Sequence, residues 1–242
     1  MLFQLRKNVC MEQERLVPIA GVDAELLAQH RARYVFASQF VPGKSVLDVA
    51  CGAGYGAEIL LEGKPSRIAG VDVSPAAVEF ARSRYSADNV EFLVGDAEHM
   101  PDIGKFDVVT SFETIEHLSR PELFLEGIGK RLSTGGRLII STPIRRGGTL
   151  RTTPGNPFHV REWNEEEFDS LLSCHFGIRS RYFQFIVQKR AYPGSRTISK
   201  LLSRALTPAK CAAFMKFPVT REVPASLPGV LTKGYIIVVC TI

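Results

Sequence analysis

What the chain lacks narrows it first. Its 242 residues contain no run of eighteen apolar side chains, so no segment reads as a membrane-spanning helix. Residues 1–17 carry basic groups but no apolar run long enough for a secretory signal. A cytoplasmic, soluble protein is the expectation. Cysteine is sparse: Cys10, Cys51, Cys174, Cys211 and Cys240 are scattered, odd in number and without CxxC spacing. That argues against a disulfide framework and against a thiolate zinc site. Neither sign of charge dominates, with 30 Lys and Arg against 25 Asp and Glu, a net +5. So mild an excess suits an anionic substrate without singling out nucleic acid. No internal repeat is visible. What is there is ordinary globular composition, 45% hydrophobic and 23% charged, at a length ample for one large core.

Four stretches follow one another. Residues 1–44 read as an N-terminal helical cover, with Leu26, Leu27, Tyr34 and Val35 at helical spacing and Pro42-Gly43 as its stop. Residues 45–190 alternate short apolar runs with amphipathic segments, the mark of an α/β domain with a mostly parallel sheet and helices on both faces. Ser74-Pro75 and Asn164 mark two helix starts. Within this core, residues 144–163 form a long loop rich in glycine and arginine, a length associated with active-site loops. Residues 191–233 form a proline-punctuated insertion or lid, with a basic helical piece over 197–217. Residues 234–242, "GYIIVVCTI", close the chain as a β-type run, the last sheet strand. It and the run "IRSRYFQFIVQ" are expected to pair antiparallel at the sheet edge.

The first strand runs into "CGAGYG" and then a helix. Gly52, Gly54 and Gly56 permit a tight turn and close backbone approach to a ligand at a helix N-terminus. Asp72 ends the next strand, where a carboxylate accepts from ribose hydroxyls. Asp48 precedes the glycines and Asp96 ends the third strand. An acid at Asp48 repels a pyrophosphate, so a nicotinamide cofactor fits poorly and a cationic ligand with an amino group and a sulfonium fits well.

"VLDVACGAGYG", "GVDVSPAAVEFAR", "VEFLVGDAEHMP", "FDVVTSFETIEHL" and "GGRLIISTP" resemble, in order, the motifs of class I S-adenosylmethionine-dependent methyltransferases. The resemblance covers roughly residues 45–143. It implies a Rossmann-like, seven-stranded sheet with the last strand antiparallel, and S-adenosyl-L-methionine as cofactor. It also implies that Asp48 and Gly52 hold the methionine end, Asp72 the ribose, and Asp96 with Ala97 the adenine. Ala50, Gly54, Tyr55, Val73 and Phe112 complete the expected cofactor site. By the same resemblance His30, Arg33 and Tyr34 help to close the pocket, although a plain packing face explains them equally well.

"FETIEHL" follows the fourth strand at the carboxyl end of the sheet. Read as one helical turn, it puts Glu113, Glu116 and His117 on a shared face. Two converging carboxylates repel unless a cation or a proton intervenes, and an added imidazole makes a set suited to a divalent ion. His159, in "NPFHVREW", is the candidate fourth ligand. A carboxylate that caps backbone and a histidine that acts as a lone base account for the same residues without a metal. The Glu-x-x-Glu-His pattern with a distant His resembles the magnesium-dependent small-RNA 3′-terminal 2′-O-methyltransferases, and its first part resembles the ubiquinone-pathway O-methyltransferases. "STP" and "NPFHVREW" resemble methyltransferases among glycan-modifying enzymes. The expectation is therefore a metal-assisted O-methyltransferase of a sugar or glycan vicinal diol, with magnesium, manganese or ferrous iron held by Glu113, Glu116, His117 and His159. Where they are not ligands, His117 or His159 serves as catalytic base. The alternatives are RNA 3′-terminal ribose 2′-O-methylation, with no RNA-binding module to support it, and metal-free O- or N-methylation of a small metabolite. Arg145, Arg146, Arg151 and Arg161 read either as forks for a carboxylate or phosphate on the acceptor or as a solvated basic loop.

Overall fold

A computed structural model describes residues 24–144, 154, 156–185, 214–217 and 234–242. Helix α1 (Ala24–Ser38) precedes strand β1 (Ser45–Val49) and helix α2 (Tyr55–Glu62). Strand β2 (Arg67–Asp72), helix α3 (Pro75–Arg84) and strand β3 (Val90–Val94) complete one half. Strand β4 (Phe106–Phe112), a 3₁₀ turn (Ile115–His117), helix α4 (Pro121–Arg131) and strand β5 (Leu132–Ile144) begin the other. Helix α5 (Glu165–Ser173) and strands β6 (Gly177–Phe185), β7 (Phe214–Phe217) and β8 (Gly234–Thr241) follow.

The sheet order is β3-β2-β1-β4-β5-β8-β6-β7. β1 to β5 pair in parallel, and β8 runs antiparallel to β5. The first seven positions are the Rossmann-like, mostly parallel sheet that the sequence implies, with the final strand reversed. Two details differ from the expectation. β8 pairs antiparallel with β6 as expected, but inside the sheet, between β5 and β6, and not at its rim. An eighth strand, β7, occupies the edge, where residues 214–217 were read as the end of a basic helix. Four residues with two phenylalanines fit an open sheet edge better than a helix whose period Pro208 interrupts.

Both faces are covered. α1, α2 and α3 pack on one through Tyr34, Ala37, Leu60, Val78 and Ala81. α4 and α5 pack on the other through Phe124, Ile128, Phe168 and Leu172. The expected caps are present: Ser74 Oγ accepts from the Ala77 N–H, and Asn164 forms a capping box with Glu167. Strand order reverses between β1 and β4, the switch point at which open α/β sheets bind ligands.

The glycine turn after β1 divides its labour. Gly52 (φ 55°) faces open space, whereas a Cβ on Gly54 (φ 82°) would stand 2.5 Å from the Ala81 Cβ. Gly54 therefore serves helix-on-helix packing. Gly54→Ala combines left-handed strain with overpacking and should destabilise the chain by roughly 2–4 kcal/mol. Urea unfolding at an unchanged m value measures it, and a loss below about 0.5 kcal/mol would refute the packing role.

Candidate active site

The carboxyl ends of β1, β2 and β4 open onto a cavity of about 470 Å³ roofed by α1. All the expected cofactor residues line it except Asp48 and Gly54, and so do the four expected metal ligands. Two wall residues, Ala50 (φ 59°) and Glu113 (φ 53°), hold left-handed backbone at the ends of β1 and β4. Non-glycine residues adopt that conformation at a cost, and such strain concentrates at functional sites.

On the β2 side, Asp72 accepts from the Gly52 N–H at 2.8 Å and the Ser74 N–H at 2.9 Å. Each carboxylate oxygen keeps lone-pair capacity for ribose hydroxyls. Asp96, at the next strand end, accepts from the Glu98 N–H and pairs with His99. The open face of Gly52 beside a fixed carboxylate fits S-adenosylmethionine.

Asp48 sits behind the wall. It is 1% exposed and accepts from Tyr34 Oη at 3.0 Å and Thr110 Oγ1 at 2.7 Å. Burial pushes its carboxyl up to about 7 against these two hydrogen bonds, and the neighbouring Asp72 adds to the rise. Tyr34 in turn packs on Gly56, so close that a Cβ there would meet the ring at 2.2 Å. His30 meets Tyr55 Oη at 2.5 Å through Nδ1. Burial and the Arg33 charge hold its imidazole down at about 3. It is therefore neutral and accepts the Tyr55 hydroxyl proton.

The raised Asp48 sets a pH dependence. Below about pH 4 the group is protonated in folded and unfolded chains alike. Between that point and about 7 the folded chain keeps a proton that the unfolded chain has lost. Its contribution to stability therefore falls as pH rises, by at most about 1.4 kcal/mol per unit, and levels off above the folded value. Urea unfolding at about pH 5 and pH 8 should show the wild type losing stability relative to Asp48→Asn; a constant difference would mean that Asp48 is ionised in the folded chain.

On the β4 side, Glu116, His117 and His159 offer ligand atoms that all lie within 4.8 Å of one another. Glu116 comes from the 3₁₀ turn and is fully buried. Its Oε2 accepts from Thr142 Oγ1 at 3.0 Å, while Oε1 has no hydrogen-bond partner. Burial first, then the Glu113 charge, pushes its carboxyl well above the usual range. His117 Nδ1 donates to the Phe158 carbonyl at 3.1 Å, and His159 Nδ1 donates to Glu162 at 2.8 Å. Imidazoles that ligate a metal are fixed in this way, one nitrogen on a carbonyl or carboxylate and the other turned to the ion. The Asn156 amide stands 3.0 Å from His159 Nε2 and has to yield to a cation there. With an orphaned buried oxygen and two imidazoles so oriented, the set fits a divalent ion.

His159 reaches the cluster because its loop is pinned to the 3₁₀ turn. The backbone N–H groups of Val160 and Arg161 both donate to the Glu116 carbonyl, at 2.8 and 3.2 Å. Glu113 departs from expectation. It directly follows β4 in left-handed backbone instead of starting a helical turn, and its Oε1 accepts from Ser141 Oγ at 2.8 Å. The three ligand candidates that share a site are Glu116, His117 and His159, without Glu113. Glu113 lies two residues before the 3₁₀ turn (Ile115–His117), in left-handed backbone, so no helical turn brings it onto one face with Glu116.

Arg161 turns over the Trp163 ring at 5.5 Å and does not line the cavity; Arg145, Arg146 and Arg151 lie outside the described residues. The cation in the wall is Arg33, fully buried, 4.0 Å above the Tyr235 ring and 3.9 Å from Glu113 Oε1. Tyr235, Asn156 and Glu162 were not singled out from sequence. The i+3 spacing of Glu162 from His159 was a usable signal. The other two become neighbours of the site only through sheet pairing and loop return.

Fold and site together define a Rossmann-like S-adenosylmethionine-dependent methyltransferase domain. The chain belongs to the methyltransferase-domain family, which it matches over residues 40–191. It is 34% identical over 161 residues to a Mycolicibacterium smegmatis protein named as a probable S-adenosylmethionine-dependent methyltransferase, covering 66% of this chain and 62% of that one. It is 36% identical over 108 residues to the mitochondrial ubiquinone biosynthesis O-methyltransferase of Schizosaccharomyces pombe, 43% of this chain and 39% of that one. The chain thus spans about three-fifths or less of the curated relatives it matches. Its fold is shared with the [4+2]-cyclase SpnF, at a TM-score of 0.61 and 20% identity over 87% of this chain and 80% of that one. No helix among the described residues is long and apolar enough to cross a membrane.

Proposed function

We propose that the chain is a metal-assisted S-adenosylmethionine-dependent O-methyltransferase acting on a hydroxyl of a sugar or glycan vicinal diol. The observation that carries the metal-assisted part is the orphaned, buried Glu116 Oε1 beside two imidazoles whose Nδ1–H groups are already spoken for. S-adenosylmethionine supplies an electrophilic methyl group on sulfonium sulfur. A divalent ion supplies Lewis acidity, which lowers the pKa of a coordinated hydroxyl. Asp72 and Gly52 fix the ribose side of the cavity, and Asp48 with Tyr34 backs the methionine end. Glu116, His117 and His159 would hold the cation, with His159 kept in its tautomer by Glu162. The α1 roof, through His30, Tyr34 and Arg33, keeps water from the reacting atoms, which strengthens every charge interaction inside. Holding hydroxyl and methyl in line supplies the remaining rate.

Two neighbouring hydroxyls would suit this set because three protein ligands would leave a divalent ion able to take further oxygen ligands. Similarity to a ubiquinone-pathway O-methyltransferase favours a second reading, a phenol with an adjacent oxygen, which uses the same cation in the same way. The test is methyl transfer by chelator-stripped protein, with magnesium, manganese and ferrous iron returned singly. A pyranose with free adjacent hydroxyls should turn over and its deoxy analogue should not. Robust turnover of 3′-terminal RNA but not of sugars would overturn the glycan reading, and equal turnover of mono-hydroxyl phenols would overturn the diol logic. Full activity in the chelator would remove the cation and leave proton removal to a histidine base.

A further inference from the structure

Both ring nitrogens of His159 are engaged from within its own loop. Nδ1 donates to Glu162, on the C-terminal side, at 2.8 Å. The lone pair therefore sits on Nε2, 3.0 Å from the side-chain amide nitrogen of Asn156, on the N-terminal side. The backbone settles which way that amide points. Asn156 Oδ1 accepts from the Phe158 N–H at 3.0 Å, so the NH2 end faces the imidazole. A donor thus covers the one lone pair through which His159 can ligate a cation or take up a proton. We propose that Asn156 is the gate of the cation site: its amide caps His159 in the cation-free chain, exchanges places with the incoming ion, and so sets the affinity at which the site loads. The inference rests on the cation reading above and adds the regulation of that same site.

Three observations support an exchange over a fixed scaffold. Glu162 already holds the ring through a carboxylate, so the weaker neutral bond from Asn156 is not needed to orient it. Asn156 and His159 both line the cavity, which leaves the displaced NH2 room to turn. The third observation is an asymmetry within the cluster. Glu116 Oε1 is buried with no hydrogen-bond partner, whereas the His159 lone pair is covered. An ion entering the cluster gives the carboxylate oxygen its partner and breaks one neutral hydrogen bond. It is therefore bound more weakly than an uncapped set would bind it. The same cap keeps His159 Nε2 from accepting a proton while no ion is bound.

Calorimetric titration of manganese into the chain saturated with S-adenosylhomocysteine tests this. Asn156→Ser keeps a hydroxyl acceptor for the Phe158 N–H and removes the amide donor, while Asn156→Ala removes both. Losing the competing hydrogen bond should tighten manganese binding by about two- to tenfold in Asn156→Ser. Asn156→Ala should gain less, because its turn loosens as well. A merely structural role predicts the opposite sign, since loosening a loop that carries a ligand weakens the ion. In wild type, saturating magnesium should shift the side-chain amide resonances of Asn156, assigned through its own backbone signals, and speed their exchange with water. Resonances that stay in place would overturn the proposal, and that measurement needs no variant to fold. Wild type that binds manganese, with equal or weaker binding in Asn156→Ser, would overturn this inference alone and make Asn156 a support for His159. Wild type and both variants binding no cation would remove the cation reading itself, and this inference with it.

Discussion

Glu116→Gln and His159→Ala should each lower turnover on the order of 10³-fold, because a Lewis acid at the nucleophile supplies several kcal/mol of barrier lowering. Both residues belong to the cluster whose ligand atoms lie within 4.8 Å of one another, and neither stands among the Asp72 and Gly52 contacts. S-adenosylhomocysteine affinity should therefore stay within about threefold of wild type. Glu162→Ala should act more mildly, weakening cation affinity by roughly 10–100-fold, since it only orients His159. Excess manganese should restore Glu162→Ala and leave Glu116→Gln inactive. Calorimetric titration of the ion and steady-state kinetics on the same preparations separate these cases. Equal, cation-independent activity in all three variants would refute the ligand assignment. The Glu116→Gln result also carries a stability sign: a buried carboxyl held well above its usual range costs little to neutralise, so this variant should fold as well as wild type.

Asp72→Ala should weaken S-adenosylhomocysteine binding by about 10²–10⁴-fold. Two hydrogen bonds from ribose hydroxyls to a charged acceptor carry about 1.5–3 kcal/mol each. The same carboxylate also ties the Gly52 and Ser74 N–H groups, so its loss loosens the turn that forms the cradle. Asp72→Asn separates the two effects. An amide keeps one of the two backbone acceptors and sets its NH2 against the other N–H, so most of the affinity loss should remain while the unfolding midpoint recovers only in part. Unchanged affinity in Asp72→Ala would place the ribose elsewhere.

The β2 half of the site was readable because it is local. Gly52, Asp72 and Asp96 each follow directly from a strand end, and a strand-turn-helix unit leaves little choice about where such residues go. The regular elements were readable for the same reason: Ser74-Pro75 and the Asn164–Glu167 capping box act within one turn. Glu113 was misplaced because sequence spacing cannot distinguish an α-helical turn from a strand end in left-handed backbone followed by a 3₁₀ turn. Arg33 was open to two readings because a helix face shows which side is apolar, not which cation ends up buried between a carboxylate and an aromatic ring. That is decided by Tyr235, two hundred residues later in sequence and adjacent only through the β5–β8 register. The division of the glycines likewise depended on α3 and α1, which supply the Ala81 and Tyr34 contacts.

The loop that carries His159 is held by its backbone. Because the Val160 and Arg161 amides, not their side chains, grip the Glu116 carbonyl, any residue but proline can stand there and keep the grip. Val160 is 56% exposed next to that ligand. Drift at this position can therefore reshape the rim that an incoming acceptor meets while His159 stays in register with the cluster. Descendants of such a chain can change what they methylate without first giving up the means of doing so. Saturation of position 160 is accordingly the economical starting library for new acceptors.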